Sequence, residues 1–408
     1  MLRRSPVSPR LAFLLALAAA LIPAFACGSG ARRGGAPEPT PTPGRGPIVI
    51  AAGQPITIGV SAALSGDQVN LGSDIADAAT LAADDFGGNV RGHPIVISRK
   101  DDGCTDAQKA VSVARSLIAE DTVAGVIGPM CTTGAQAADS VYDAAEVVHI
   151  SPSATRVELS AQGERFFFRT SWRDDVQART QAEYLRTAAN AGNVVVIDDA
   201  EPYGVALADA FATAFQEAGG TVIGRERFER GDTDFTSLAS RISVMNPQAV
   251  VYEGLNPEAA LLVKALRQAL YLGTFVAPDG VFSVRDYLQA AGAATEGSII
   301  SGGPVPDAAF VLRFQARFQR VPGTAFVLQA HDAVTALLRA VDASAQVAAD
   351  GAMTVDRAKL ADTLRSRTFS GLTGPISFDA NGDRVGETPD ELGLVLYRVT
   401  DGRFEPVR

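Results

Sequence analysis

Val126-Ile127-Gly128-Pro129-Met130-Cys131-Thr132-Thr133 runs from a β-branched segment, through a Gly-Pro break, into two hydroxyl residues that open an alanine-rich stretch. The apolar run Val123–Ile127 is too short for a helix and reads as a buried strand. Gly128 and Pro129 stop it, and Gly134–Ala145 has the composition of a helix. The same grammar returns at once in Val148-His149-Ile150-Ser151-Pro152-Ser153-Ala154-Thr155. Each unit places hydroxyls and free backbone N–H groups at the carboxyl end of a strand.

Outward from this stretch the alternation continues. Candidate strands are Ile56–Val60, Ile95–Arg99, Val123–Ile127, Val148–Ile150, Val194–Ile197, Thr221–Gly224, Ala249–Tyr252 and Phe275–Ala277. Candidate helices fall between them, roughly at Ser73–Phe86, Ala107–Glu120, Gly134–Ala145, Val176–Ala191, Val205–Ala218, Phe235–Val244 and Pro257–Leu272. Within Asp106–Ile118, Ala110, Val111, Val113, Ala114, Leu117 and Ile118 form a helical stripe. Val/Ile-rich strands alternating with helices argue for parallel sheets covered on both faces. About four units precede Arg169 and another four follow Asp174, so the expected architecture is two α/β lobes. Ligands of such sheets bind beyond the carboxyl ends of the strands, and two lobes facing each other there make a cleft.

The amino terminus has a different character. Arg3, Arg4 and Arg10 precede the unbroken apolar run Leu11 to Ile22. A bilayer span needs about 20 residues, so this shorter run reads as a signal peptide. Ala24 and Ala26 suit ordinary signal-peptidase cleavage. Ala24-Phe25-Ala26-Cys27 is also similar to a lipobox, departing from it at the position usually held by Leu and at Phe25. The chain has three cysteines, Cys27, Cys104 and Cys131, an odd count that needs an explanation in an exported protein. Lipidation of Cys27 leaves a pair; the alternative is that Cys27 is incidental to a conventional cleavage site. The following Gly/Pro-rich segment, with Pro37-Glu38-Pro39-Thr40-Pro41-Thr42-Pro43 at its centre, cannot bury enough apolar surface to offset its ordering entropy and is expected to be a tether. With 47% hydrophobic residues over the whole chain, the remainder can build a large core. The formal charge of −10 becomes −13 once the three signal-peptide arginines are lost, which disfavours nucleic acid as a partner.

The chemistry implied is that of binding. Amides and hydroxyls at Thr132 and Thr155 suit an anion such as a carboxylate; equally, each threonine could cap a helix. Asp279, in Ala277-Pro278-Asp279-Gly280, is either a turn residue or a strand-end carboxylate able to meet an ammonium group. A G-x-S-x-G elbow, a Walker A loop, a strand-following G-x-G-x-x-G and a metal-type Cys/His cluster are all missing. The three histidines, His93, His149 and His331, lie far apart, and His149 reads as a core residue. No cofactor, metal or catalytic activity is expected.

Together these residues resemble the periplasmic branched-chain amino-acid binding proteins of ABC importers, the Leu/Ile/Val-binding type. The resemblance runs from Ile56 to about Val399. It is carried by Asp101-Asp102-Gly103-Cys104, Val126-Ile127-Gly128 with Cys131-Thr132, Ser151-Pro152-Ser153-Ala154-Thr155 and Phe168-Arg169-Thr170. Tyr203-Gly204, Asp232-Thr233-Asp234-Phe235, Pro278-Asp279-Gly280, Gly374-Pro375-Ile376-Ser377-Phe378-Asp379 and Gly382-Asp383 continue it. It implies an α/β, type I periplasmic-binding-protein fold, with two Rossmann-like lobes of parallel sheet joined by three crossovers. The corresponding division is a signal peptide over 1–26, a lipidation site and tether over 27–54, an N-terminal lobe of 55–173 plus 303–378, and a C-terminal lobe of 174–302 plus 379–408. A disulfide between Cys104 and Cys131 is implied too, contributing about 3 to 4 kcal/mol by loop closure. The family pattern assigns the ligand carboxylate to Thr132, Thr155 and nearby amides, Ala154 among them. The ammonium falls to the backbone at Ser153 and to the acid at Asp279, with Tyr203 closing over the ligand. Two departures stand out. The family acid is typically Glu, one methylene longer than Asp279. Leu71 and Leu255 replace aromatics of the pocket wall, which Phe282 is expected to refill in part.

The resemblance thus implies a monomeric, extracytoplasmic protein, lipid-anchored through Cys27, that binds a small amino-acid-like ligand by hinge closure and passes it to ABC permease subunits. Alternative cargoes on the same scaffold are amides, urea and small aromatic acids. A sensory module is a further alternative; such a chain is expected to continue into a membrane helix, and no apolar span appears before Arg408.

Overall fold

The computed structural model describes residues 45–161 and 163–407. The signal peptide, Cys27 and the tether as far as residue 44 lie outside the described residues. Within the 27–54 segment expected as a tether, residues 48–50 form a strand instead. β1 (Ile48–Ile50) pairs antiparallel with Met353–Val355. Ile48 and Ile50 alternate inward into the core, so this three-residue segment does bury apolar surface.

The first sheet grows from β2 (Ile56–Ala62), buried along its whole length as a central parallel strand must be. α1 (Val69–Asp85), β3 (Asn89–Val90), β4 (His93–Asp101), α2 (Ala107–Ile118), β5 (Val123–Ile127), α3 (Thr132–Ala144), β6 (His149–Ser151), α4 (Glu158–Ala161) and β7 (Phe167–Arg169) follow. In space the strands run β3-β4-β2-β5-β6-β7, parallel throughout except for the β3–β4 pair. The stripe on α2 does what its spacing requires. Ala110, Val113, Ala114 and Leu117 are buried, and the side chain of Asp106 caps the helix by accepting from the Lys109 amide.

The second sheet repeats this winding. It is built from α5 (Asp174–Thr187), β8 (Asn193–Asp198), α6 (Pro202–Glu217), β9 (Thr221–Arg227), α7 (Thr236–Met245), β10 (Ala249–Glu253), α8 (Glu258–Gln268), β11 (Thr274–Ala277) and β12 (Ile299–Gly302). α8 stops short of the expected Leu272, because Leu270 turns left-handed with φ 60°. The chain then returns to the first lobe with α9 (Ala308–Phe318) and α10 (Val327–Ser344), both packed on α1. β13 (Gln346–Val347), β14 (Met353–Val355), α11 (Arg357–Ser366), β15 (Phe369–Gly371) and β16 (Gly374–Ile376) follow. β17 (Val395–Thr400) and β18 (Arg403–Pro406) finally rejoin the second sheet as antiparallel strands, β17 against β12 and β18 at the edge. Its order is β18-β17-β12-β11-β10-β8-β9. The chain therefore passes between the lobes three times.

Both sheets share one topological feature that positions the site. Each runs second strand, first strand, third strand: β4-β2-β5 in one lobe and β9-β8-β10 in the other. Connections leave the sheet in opposite directions on either side of the first strand, which opens a crevice at its carboxyl end.

Candidate functional site

The turn after β5 is built to bring backbone into this crevice. Gly128 sits at φ 112°, and a Cβ there would lie 2.2 Å from the carbonyl oxygen of Ser61 on β2. Its amide is held by the carbonyl of Ile150, so the turn is tied to both neighbouring strands. Three residues on, Cys131 forms a disulfide with Cys104, the second residue after Asp102 in the loop beyond β4. α3 begins at Thr132, two residues earlier than its composition suggests, and Cys131 stands at the cap position without a side-chain capping bond. Thr132 is thus a first-turn residue of α3, buried, and free of a capping role. The loop after β6 is pinned by hydroxyls. Ser151 Oγ donates to the Pro129 carbonyl at 2.7 Å and accepts from the Ala154 amide at 2.9 Å, while Ser153 Oγ donates to the Met130 carbonyl at 2.7 Å.

Leu71, Thr132, Ser153, Tyr203, Leu255 and Asp279 line one cleft between the lobes. Ala154 and Thr155 do not line it. Ala154 packs into a small apolar cluster with Ala135, Leu159 and Phe167. Thr155 is fully buried behind the loop, its backbone carbonyl accepting from the Asp174 amide at 2.9 Å, and its Oγ1 has no hydrogen-bond partner among the described residues. It caps no helix either.

The opposite wall carries the acid. Pro202 opens α6, where its missing N–H costs nothing, and this sets Tyr203 in the first turn facing the cleft. Tyr203 donates its hydroxyl to Asp279 Oδ1 at 2.8 Å. Asp279 is 3% exposed. Its Oδ2 meets no partner among the described residues. Burial pushes this carboxyl up to about 7, against the opposing hydrogen bond from Tyr203. The same burial raises the Tyr203 phenol well above its ordinary range. Asp279 is therefore both a turn residue and a cleft carboxylate: the short helical turn Asp279–Val281 is what points it inward.

Phe282 does not refill the wall left by Leu71 and Leu255. Its ring stacks on Phe404 of β18 at 4.0 Å, held by an edge strand that the sequence reading did not anticipate. Phe326 lines the cleft instead. It stands at the head of α10 with φ 67° and stacks on the buried Trp172 at 5.1 Å. Met130, Thr105, Thr133 and Glu201 also face the cleft and were not singled out from the sequence. The first three adjoin cysteines or hydroxyls that were, and Glu201 lies two residues before Tyr203. For Phe326 no sequence signal exists, since a left-handed aromatic cannot be read from composition. The lobes meet across the cleft: Gln68 Nε2 donates to the Asn256 carbonyl at 2.7 Å, and Thr133 Oγ1 to Glu201 Oε2 at 3.3 Å. The histidines stay apart, as their spacing suggests. His149 lies within 3.2 Å of the buried Asp139, and His331 within 3.1 Å of Asp85.

A cleft between two like-wound lobes, with a buried acid on one wall and a helix start with hydroxyls on the other, defines a protein that clamps a small polar molecule. Residues 55–403 match the family model described as periplasmic binding protein, and the chain belongs to that family. Among its relatives, an amino acid binding protein of Pseudomonas aeruginosa is 29% identical over 80% of this chain and 87% of its own length. The leucine-, isoleucine-, valine-, threonine- and alanine-binding protein of the same organism is 31% identical over 69% of this chain and 74% of its own. In structure the chain is similar to a leucine-binding protein from Thermotoga maritima, with TM-score 0.77, 25% identity, and 86% and 98% of the two chains covered. It is also similar to a branched-chain amino acid transporter substrate-binding protein from Streptococcus pneumoniae in complex with isoleucine, with TM-score 0.75, 26% identity, and 86% and 99% covered. No helix among the described residues is long and apolar enough to cross a membrane.

Proposed function

We propose that this chain is the extracytoplasmic solute-binding component of an ABC importer and that it binds an amino acid with an apolar, branched-chain-sized side chain. The observation that carries this reading is Asp279. It is a buried carboxyl of the cleft wall, opposite Thr132 and the start of α3, with one oxygen engaged by Tyr203 and the other without a hydrogen-bond partner among the described residues. An ammonium group satisfies Asp279. The α-carboxylate is met by the hydroxyl of Thr132, the backbone around Ser153 and the positive end of α3. Leu71, Leu255, Met130 and Phe326 receive the side chain. Ala154 and Thr155 act from behind, holding the loop rather than touching the ligand. The relatives that bind leucine, isoleucine and valine support this cargo.

The protein releases its ligand unchanged. The lobes, 55–173 plus 303–378 and 174–302 plus 379–408, close about the crossovers as a monomer, and the closed form is what ABC permease subunits recognise. Cys27 carries the lipid that ties the chain to the membrane, with the segment before β1 as the leash. Isothermal titration with leucine, isoleucine and valine tests the site. Binding is expected for the wild type, and Asp279→Ala is expected to weaken it by at least tenfold, since a buried ammonium then loses its partner. No heat from any of the three amino acids, or equal affinity in the variant, overturns the reading.

A further inference from the structure

The left-handed backbone of Phe326 is strained for an aromatic residue and persists only where its surroundings over-determine it. Trp172 supports the ring. What fixes the backbone lies outside the cleft, on α1. Asp74 is 1% exposed and does not line the cleft. Its Oδ2 accepts from the Gly323 amide at 2.9 Å, the Thr324 amide at 3.1 Å and the Thr324 hydroxyl at 2.8 Å. Its Oδ1 accepts from Arg320, whose guanidinium also reaches Asp77 at 2.6 Å. One buried carboxylate thus gathers both ends of the turn Arg320-Val321-Pro322-Gly323-Thr324, which leads into Phe326.

The far side of the same turn is held by backbone. Val284 donates its amide to the Gly323 carbonyl at 2.8 Å, and Ala325 donates to the Phe282 carbonyl at 3.2 Å. Ser283 pairs antiparallel with Thr324 between these two bonds. Phe282 follows directly on the short turn Asp279–Val281 that points the acid inward. Residues 323–325 are therefore gripped from two sides immediately before the ring that walls the cleft.

We infer that Asp74 is a positioning residue for ligand selection: by fixing residues 323–325 it holds Phe326 in its left-handed pose and so sets the largest side chain the cleft admits. Hydrogen bonds to an ionised acceptor are about twice as strong as neutral ones, which makes Asp74 the dominant of the two grips. Without it the strained backbone relaxes, the ring withdraws from the wall, and side chains larger than leucine lose their steric penalty. The inference rests on the reading of the cleft as an amino-acid site with an apolar wall.

Titration calorimetry with leucine and with phenylalanine tests it, read as the ratio of the two dissociation constants. The wild type is expected to prefer leucine by about tenfold or more, and Asp74→Ala to shrink that preference by about tenfold. Asp74→Asn keeps a carbonyl oxygen for Gly323 and Thr324 and gives up only the ion pair with Arg320. It is expected to lose stability in urea yet keep the wild-type preference, which separates positioning from a merely structural role. Phe326→Ala is expected to shrink the preference as Asp74→Ala does, and the double variant to shrink it no further, because both act through one ring. If Asp74→Ala does not fold, Thr324→Val carries the test: it removes only the hydroxyl bond, and the expected shift is about threefold in the same direction. An unmoved preference in the folded variant, a double variant whose changes add in full, or equal wild-type affinity for the two amino acids overturns the role of Asp74. No binding of either amino acid by the wild type overturns instead the reading of the cargo.

Discussion

Gly128 and Gly66 both take left-handed backbone, at φ 112° and 76°, yet only one of them carries the site. A Cβ at Gly66 meets nothing within 4 Å, whereas one at Gly128 is driven into the Ser61 carbonyl of the neighbouring strand. Gly66→Ala therefore incurs only the left-handed penalty, about 1 to 2 kcal/mol. Gly128→Ala adds a backbone clash, and the expected total is about 3 kcal/mol or more. Urea unfolding of the two variants checks the contrast, and equal losses would mean that the β5 turn is looser than its geometry requires. At this scale the sequence is readable where residue chemistry is unusual: Thr132, Tyr203 and Asp279 stand at strand ends with groups that turns alone do not demand. It is unreadable where position depends on distant packing. Phe326 reaches the cleft because Trp172, from another crossover, supports its ring. Phe282 fails to because Phe404 captures it.

Among elements, the strands most visible in the sequence are those buried on both faces. Val123–Ile127 and Val194–Ile197 are continuous apolar runs because no residue in them meets water. β17 and β18 hide for the opposite reason: as the two antiparallel strands at the margin of the sheet, β18 outermost, they carry Arg398, Arg403 and Glu405 among their apolar residues. β1 hides inside a Gly/Pro-rich stretch, where three residues are too few for a pattern. The join between elements that matters most is the disulfide, which ties the loop beyond β4 to the start of α3 across 27 residues of chain. By the loop-closure relation it contributes about 3 to 4 kcal/mol. Reduction, or the Cys104→Ser/Cys131→Ser double variant, is expected to lower unfolding free energy by about that amount and to weaken leucine binding as well, because Thr132 sits beside the bridge. Chemical denaturation with and without reductant, paired with titration of the same samples, reads both. Lost stability with unchanged affinity would detach the bridge from the site.

For the whole molecule, the decisive quantity is the balance between open and closed lobes, since a clamp whose lobes stay shut cannot load and one that closes too weakly cannot hold. Contacts across the cleft that do not touch the ligand set this balance. Gln68, at the head of α1, is 6% exposed and donates to the Asn256 carbonyl of the other lobe at 2.7 Å, yet it does not line the cleft. Asn70 donates to Asp286 at 2.6 Å in the same seam. These bonds exist only when the lobes meet, so each adds its net worth, about 0.5 to 1.5 kcal/mol, to closure and hence to apparent affinity. Gln68→Ala is therefore expected to weaken leucine binding by about two- to tenfold. The loss should fall on the off-rate, because closure follows capture. Small-angle scattering should show a larger radius of gyration for this variant than for the wild type at sub-saturating leucine, and the same radius at saturation. An unchanged off-rate and radius would place Gln68 outside the closing seam and leave ligand contacts alone to shut the clamp.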